Sequence, residues 1–364
     1  MSARYRVAII GTGRMGGLIE DELPKGEWYL PYGHVSAYRA IPETEVVAVA
    51  NRGAERLKRF AERFGVAHTY LDYREMIREQ RPDIVSITTP APQRAEPLIF
   101  CAEHGVRGVY AEKGLCASLE EADRIRDALG RNRVVFNWGA MRRHHDGYRR
   151  LRDAIARGDI GQPRHATVYF FTDLIKHHAH TIDLAAMLLG DPAPAWVEGR
   201  LVEAGDPLLA GADRPLPTFE PGGHRFVPPP GRELGDPLVG FFRIGYADGL
   251  EASFVPAGGF DVDVVGSEGR AYAWENGRDF RVRRVSRSGR EATETVIRPA
   301  GESPTVCTIR DIVRALETGE PTKGNIDVTM RTVEAQFGVA HSHLRGGQRV
   351  ALPIEDRSLY IPGG

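Results

Sequence analysis

The stretch Arg6-Val7-Ala8-Ile9-Ile10-Gly11-Thr12-Gly13-Arg14-Met15-Gly16 decides the fold of this chain. A continuous apolar run reads as a strand buried on both faces. It ends in three glycines at G-x-G-x-x-G spacing, and a helix starting directly behind them completes a strand–turn–helix unit. In such a unit the first glycine permits the tight turn. The second lets a pyrophosphate approach the backbone, and the third lets the helix pack closely on the strand. Free N–H groups at the helix start then point at the anion. Gly11, Thr12, Gly13, Arg14, Met15 and Gly16 are therefore expected around the pyrophosphate of a dinucleotide. The same spacing arises by chance in a chain with 41 glycines, but here an apolar strand precedes it.

Working outward, apolar runs recur at Val46–Ala50, Ile84–Thr88, Val109–Ala111 and Val134–Phe136. Amphipathic helices separate them. Leu57, Phe60, Ala61 and Phe64 repeat at helical spacing before Gly65. Ser118 and Glu121 have capping-box spacing ahead of Leu119, Ala122, Ile125 and Leu129. This alternation predicts a doubly wound parallel α/β domain over residues 1–137. Beyond Trp138 the pattern changes. A helix is expected at about 177–189, followed by seven strand-like runs between Trp196 and Ile297. Several of these alternate inward and outward, as in an antiparallel sheet. Two helices follow, near Val306–Glu317 and Val328–Leu344. Residues 138–364 thus read as an α+β domain that binds substrate and makes subunit contacts. Two irregular stretches stand out: an aromatic insertion at 23–34 and a proline-rich loop at 206–237.

Length and composition narrow the function. A chain of 364 residues with 42% hydrophobic residues has room for two cores. A net charge of −1 offers no basic field for nucleic acid or an anionic membrane. No apolar run reaches the ~18 residues of a spanning helix. Cys101, Cys116 and Cys307 form no C-x-x-C pair and fit a reducing compartment. The chain enters its first strand without a signal-like segment, so a cytoplasmic location is expected.

Five constellations carry chemistry. Asn51-Arg52 follows the second strand, where an acidic residue ordinarily binds the ribose 2′-hydroxyl of NAD. Without a carboxylate, Asn51 is left to bond a ribose hydroxyl, and Arg52 suits a 2′-phosphate. This leans the cofactor slightly towards NADP over NAD. Thr88-Thr89-Pro90 ends another buried strand and is expected at the cofactor crevice. Glu112-Lys113 ends the next, where a lysine either bonds a reacting hydroxyl or makes a surface ion pair. The run Lys176-His177-His178-Ala179-His180-Thr181-Ile182-Asp183 is dense in titratable groups. On a helix His177, His180 and Leu184 share a face. The run reads as acid/base or substrate-binding machinery, or as a helix-start network, and lacks a fourth ligand for structural zinc. Arg142, Arg143, His144 and His145 form a basic stretch behind Trp138, and Trp138 and Arg143 are expected at the substrate.

Taken together these landmarks resemble the glucose–fructose oxidoreductase, inositol dehydrogenase and MocA-type (Gfo/Idh/MocA) family. The residues that carry the resemblance are Gly11–Gly16, Thr89-Pro90, Glu112-Lys113, His180-x-x-Asp183, Val265–Gly269 and Leu352-Pro353-Ile354. The resemblance implies a Rossmann domain followed by an open, mostly antiparallel sheet, and a homodimer or homotetramer. It implies nicotinamide-dependent oxidation of a secondary alcohol of a sugar, cyclitol or similar compound. Lys113 and His180 would be catalytic, Glu112 and Lys113 would touch the cofactor, and Asp183 would orient His180 or bind substrate. A glycoside-cleaving enzyme using bound NAD, or a cofactor-binding regulator, are the other readings. Gly114 replaces the motif's proline, and Arg94 stands where the family often has histidine. Lys176 replaces an aspartate four residues before His180. With Arg142 and Arg143, Lys176 suggests an anionic substrate, held also by His177.

Overall fold

The computed structural model describes residues 5–23, 30–210, 215–285, 288–289 and 291–363. The first strands are β1 (Tyr5–Ile10), β2 (Thr44–Ala50), β3 (His68–Tyr70), β4 (Ile84–Ile87), β5 (Gly108–Ala111) and β6 (Val135–Trp138). All their pairings are parallel, in the order β3-β2-β1-β4-β5-β6. Every residue of β4 and β5 is buried, as expected for strands with helices on both faces. The sheet order reverses between β1 and β4, so the carboxyl ends of these two strands flank the crevice of a doubly wound sheet.

The helices of this region are α1 (His34–Arg39), α2 (Ala54–Phe64), α3 (Tyr73–Gln80), α4 (Ala95–Glu103) and α5 (Leu119–Arg131). Among the described residues, no regular α-helix stands directly behind Gly16, where one was expected. Arg14–Leu18 forms a π turn interrupted by the non-helical Gly17, Ile19–Asp21 forms a 3-10 turn, and among the described residues the first regular α-helix starts at His34. The adjacent Gly16 and Gly17 explain this, because each glycine disfavours helix by about 1 kcal/mol. The insertion follows, and its residues 24–29 lie outside those described. Glu20 Oε1 accepts the N–H groups of Tyr32 and Gly33, both at 3.0 Å. A Cβ on Gly33 would lie 2.8 Å from Gly17 Cα. Backbone contact between these two glycines sets α1 against the nucleotide turn.

The remaining elements are α6 (Asp146–Ala156), β7 (Pro163–Tyr169), α7 (His178–Leu188) and β8 (Pro194–Leu201). They continue with β9 (Thr218–Phe219), β10 (Phe226–Val227), β11 (Val239–Tyr246) and β12 (Glu251–Val255). Next come β13 (Asp261–Gly266), β14 (Gly269–Trp274), β15 (Asp279–Val285) and β16 (Ala292–Ile297), and the chain ends with α8 (Pro304–Thr318), α9 (Ile326–Leu344) and β17 (Val350–Ala351). A nine-stranded sheet has the order β16-β15-β14-β13-β7-β12-β11-β8-β17. It is antiparallel except for the β7–β12 pair. The proline-rich loop contains a short hairpin of β9 and β10.

The contacts divide the chain into two compact units. The first comprises residues 1–116, 120–144 and 301–329, and the second 117–119, 145–300 and 330–364. This differs from a cut at residue 137, and α8 is the main reason. Its Val306, Ile309, Ile312 and Val313 join Val7, Ile9, Tyr38, Ile84 and Tyr110 in one core. Ser303 caps this helix by accepting the N–H of Thr305 at 3.1 Å.

Candidate active site

The first unit carries the nucleotide turn at the end of β1. Gly11 has φ +102°, a conformation that side chains resist, and a Cβ there would lie 2.5 Å from Thr88 Oγ1. A Cβ on Gly16 would lie 2.6 Å from Gly11 O, whereas one on Gly13 meets no protein atom within 4 Å. The protein's own packing thus requires the outer glycines and leaves the space at Gly13 open, as the cradle of a pyrophosphate would. Thr12 is fully buried and its hydroxyl has no hydrogen-bond partner among the described residues. Both observations fit a dinucleotide. Arg14 pairs with Glu22 at 2.5 Å on the surface, and Met15 is half-buried.

Thr88 serves the turn itself. Its Oγ1 donates to Gly11 O at 3.0 Å and so buttresses the loop beside which the cofactor is expected. Thr89 Oγ1 donates to Gln93 O at 3.2 Å, and Arg94 reaches back to Thr89 O, closing the turn that Pro90 begins. Arg94 is 2% exposed and burial pulls its guanidinium down to about 10. At the end of β2, Asn51 Nδ2 donates to Gly53 O at 3.2 Å. Arg52 Nη2 donates to Gln93 Oε1 at 2.7 Å, so the side chain spans from the β2 end to the turn after β4.

Glu112 and Lys113 follow β5. Glu112 is 2% exposed. Burial alone would push its carboxyl up. The hydrogen bond and charge of His34, with Lys113 and Arg94, outweigh this and hold it below the ordinary range. His34 Nε2 lies 3.2 Å from Glu112 Oε1, and its Nδ1 lies 2.8 Å from Ser86 Oγ. Tyr38 OH closes the chain on Ser86 at 3.0 Å, and His34 stacks on Tyr110 with centroids 4.3 Å apart. Glu112 Oε2 accepts the backbone N–H of Lys113 at 3.3 Å. The lysine therefore stands on a loop whose neighbouring carboxylate is fixed from α1 and β4. Sequence reasoning missed His34, because the insertion separates it from the glycine loop it packs beside.

After β6 the chain turns through Met141–His144. Trp138, expected against the substrate, is only 1% exposed, and its backbone N–H donates to Gly324 O at 3.1 Å. Arg143 is 5% exposed and Arg142 half-buried.

The second unit carries the histidine helix. His177 sits at the N-cap of α7 in right-handed helical geometry. Its Nδ1 lies 3.3 Å from Asp173 Oδ2. Asp173 was also missed, although Asp173-x-x-x-His177 is an i, i+4 pair readable in the sequence. His178 is sealed inside: it bonds Thr181 at 2.8 Å and lies edge-on to Phe242. Burial pulls its imidazole down to about 3, so it stays neutral and belongs to the core. His180 is 8% and Asp183 1% exposed. The backbone N–H groups of Ile175 and Lys176 donate to Asp236 at 2.9 and 2.8 Å. Burial and the charge of Asp173 push the Asp236 carboxyl up to about 7. Lys176 itself is half-buried.

Residues 5–139 match the oxidoreductase family described as having an NAD-binding Rossmann fold. Myo-inositol 2-dehydrogenase of Thermotoga maritima is 26% identical over 158 residues, 43% of this chain and 42% of that protein. Inositol 2-dehydrogenase of Rubrobacter xylanophilus is 31% identical over 165 residues, 44% of this chain and 42% of that protein. The chain thus spans less than half the length of these relatives. Solved structures cover nearly all of it. An NAD-binding oxidoreductase from Klebsiella pneumoniae superposes with a TM-score of 0.77 at 19% identity, covering 97% of this chain and 100% of that one. Levoglucosan dehydrogenase in complex with NADH gives 0.76 at 18% identity, covering 96% and 99%. At such identities these likenesses speak for the fold. Residues 5–139 of this chain thus resemble the Gfo/Idh/MocA oxidoreductase family, and the likeness beyond them is one of fold.

Proposed function

We propose that the chain is an NAD(P)-dependent dehydrogenase acting on a secondary alcohol of a sugar, cyclitol or sugar-like compound. One observation carries this reading. The glycine turn at the carboxyl end of β1 and Lys113 just past the carboxyl end of β5 belong to the same unit and the same parallel sheet. The nicotinamide, when bound, takes or gives the hydride. The backbone around Gly13 holds the pyrophosphate, with Arg14 and Met15 beside it. Thr89, Pro90 and Glu112 line the cofactor, while Thr88 keeps the turn in shape. Lys113 bonds the reacting hydroxyl and lowers the energy of its developing negative charge. His180 takes the hydroxyl proton, and Asp183 orients it. Lys176, Arg142 and Arg143 contribute positive charge towards an anionic group on the substrate.

For the cofactor we favour NADP slightly over NAD, with Arg52 pairing with the 2′-phosphate and Asn51 with a ribose hydroxyl. The cysteine content supports a cytoplasmic location, and the broad second sheet suits a homodimer or homotetramer.

The test combines binding and turnover. NADH and NADPH are titrated by fluorescence into wild type and Arg52→Ala, where the variant is expected to weaken NADPH about tenfold and NADH little. Wild type is then incubated with NAD+ or NADP+ and a panel of myo-inositol, scyllo-inositol, levoglucosan, glucuronate and aryl glycosides. Reduced nicotinamide accumulating in proportion to ketone supports the proposal. Release of an aglycone without net reduction replaces it with redox-neutral glycoside cleavage. Cofactor binding without any turnover replaces it with a regulator.

A further inference from the structure

Oxidation of an alcohol releases one proton per turnover, and that proton has to reach water. In the proposed reaction the carbinol hydride leaves for the nicotinamide and the O–H proton goes to His180. His180 is only 8% exposed. His177 lies three residues earlier with helical backbone geometry, and the side chain of His177 is 35% exposed. Side chains three apart on a helix face start about 5–6 Å apart at Cβ, within reach directly or through one water. Asp173 Oδ2, 3.3 Å from His177 Nδ1, orients the ring with that nitrogen as the proton-bearing one. We propose that His177, oriented by Asp173, relays the reaction's proton from His180 to solvent. This rests on the dehydrogenase reading above.

The mount is rigid. Asp236 accepts the N–H groups of Ile175 and Lys176, and Gln336 Nε2 donates to Leu174 O at 2.6 Å and Ile175 O at 3.0 Å. Asp173 bridges to Leu238 by backbone pairing, and Phe170 lies edge-on to the His177 ring. His178 is excluded as a relay because it is enclosed by Phe242 and Phe254. Among the described residues, the charged and titratable groups near His177 include Asp173, Lys176 and His178, with Asp236 behind Asp173.

The step balances without a further reactant. An N–H bond of the His180 imidazolium breaks as one forms at His177 Nε2. His177, its Nδ1–H donating to Asp173, then gives the Nε2 proton to water. No electrons leave the imidazoles.

The experiment measures kcat and KM for wild type, His177→Asn, His177→Gln and Asp173→Asn. It uses the panel compound that wild type oxidises fastest, in dilute phosphate and then with added imidazole. Both His177 variants are expected to lose about tenfold in kcat, to keep KM within about twofold, and to be restored by imidazole, which leaves wild type unchanged. Removing the Asp173 charge lowers the proton affinity of His177, so the acid limb of kcat moves to lower pH in Asp173→Asn. Unchanged NADH binding shows that the variants are folded. Wild-type kcat in both His177 variants overturns the relay, as does a loss that falls on KM and resists imidazole. A wild type that reduces no cofactor with any panel compound refutes the dehydrogenase reading, and the relay with it.

Discussion

At the scale of single residues, Glu112 shows how a buried charge is made tolerable. An ionised carboxylate inside a protein requires a partner within bonding distance. His34 supplies it at 3.2 Å, itself anchored by Ser86 and stacked on Tyr110. Because the folded state holds Glu112 below its ordinary value of 4.5, the stabilisation is present above that value and is lost as pH falls through the lower, folded value. Glu112→Gln should therefore lower stability at pH 7 by about 1–3 kcal/mol. It should also remove part of the acid-induced loss below pH 4.5. Melting temperatures of wild type and variant at pH 7 and pH 3.5 check this, and a gap that widens on acidification rejects it. Glu112 and Lys113 were legible because they end an apolar run. Their partner was not, because residues 78 apart in sequence meet only through the parallel sheet.

At the scale of elements, the histidine helix and the nucleotide turn were read unequally well. The helix was expected from 177 to 189 and spans His178–Leu188. What sets its position could not be read locally, because Asp236 reaches its lead-in from the proline-rich loop, 60 residues away from Lys176. The glycine turn was recognised, yet among the described residues no regular helix directly follows it. Glycine spacing reports the backbone approach that a phosphate needs, and the same glycines weaken a helix. The Asp236 contact has a pH signature of the opposite sign to that of Glu112. Its carboxyl is raised from 3.8 to about 7 in the folded state. Its contribution to stability is thus fully present below 3.8 and is lost as pH rises through 7. Asp236→Asn cannot ionise, although its single oxygen satisfies only one of the two N–H groups. Between pH 4 and 7.5 the wild-type melting temperature should drop relative to that of the variant. Parallel curves over this range would show that Asp236 does not titrate there.

At the scale of the whole chain, periodicity revealed the two kinds of sheet but not the way the chain divides. Buried β-branched runs mark parallel strands and alternating ones mark an antiparallel sheet, so the architecture was legible before residue pairing was known. The return of residues 301–329 to the first unit was not. An amphipathic helix advertises an apolar face without saying which core receives it. Here α8 inserts Ile309 and Ile312 beside Val7, Ile84 and Tyr110, and a Cβ on Gly108 would lie 3.0 Å from Ile312 Cγ2. Asn137 Nδ2 also donates to Thr308 O at 3.0 Å, joining β6 to the same helix. A fragment comprising residues 1–144 alone therefore exposes a strip of core that native packing covers. It is expected to bind a hydrophobic dye, to unfold without a cooperative transition, and to bind NADH at least tenfold more weakly than the full chain. Joining residues 301–329 to its carboxyl end through a flexible linker should restore a cooperative melt and most of the affinity. If the fragment alone melts cooperatively and binds NADH as the full chain does, α8 is a cover on an independently folding domain rather than part of its core.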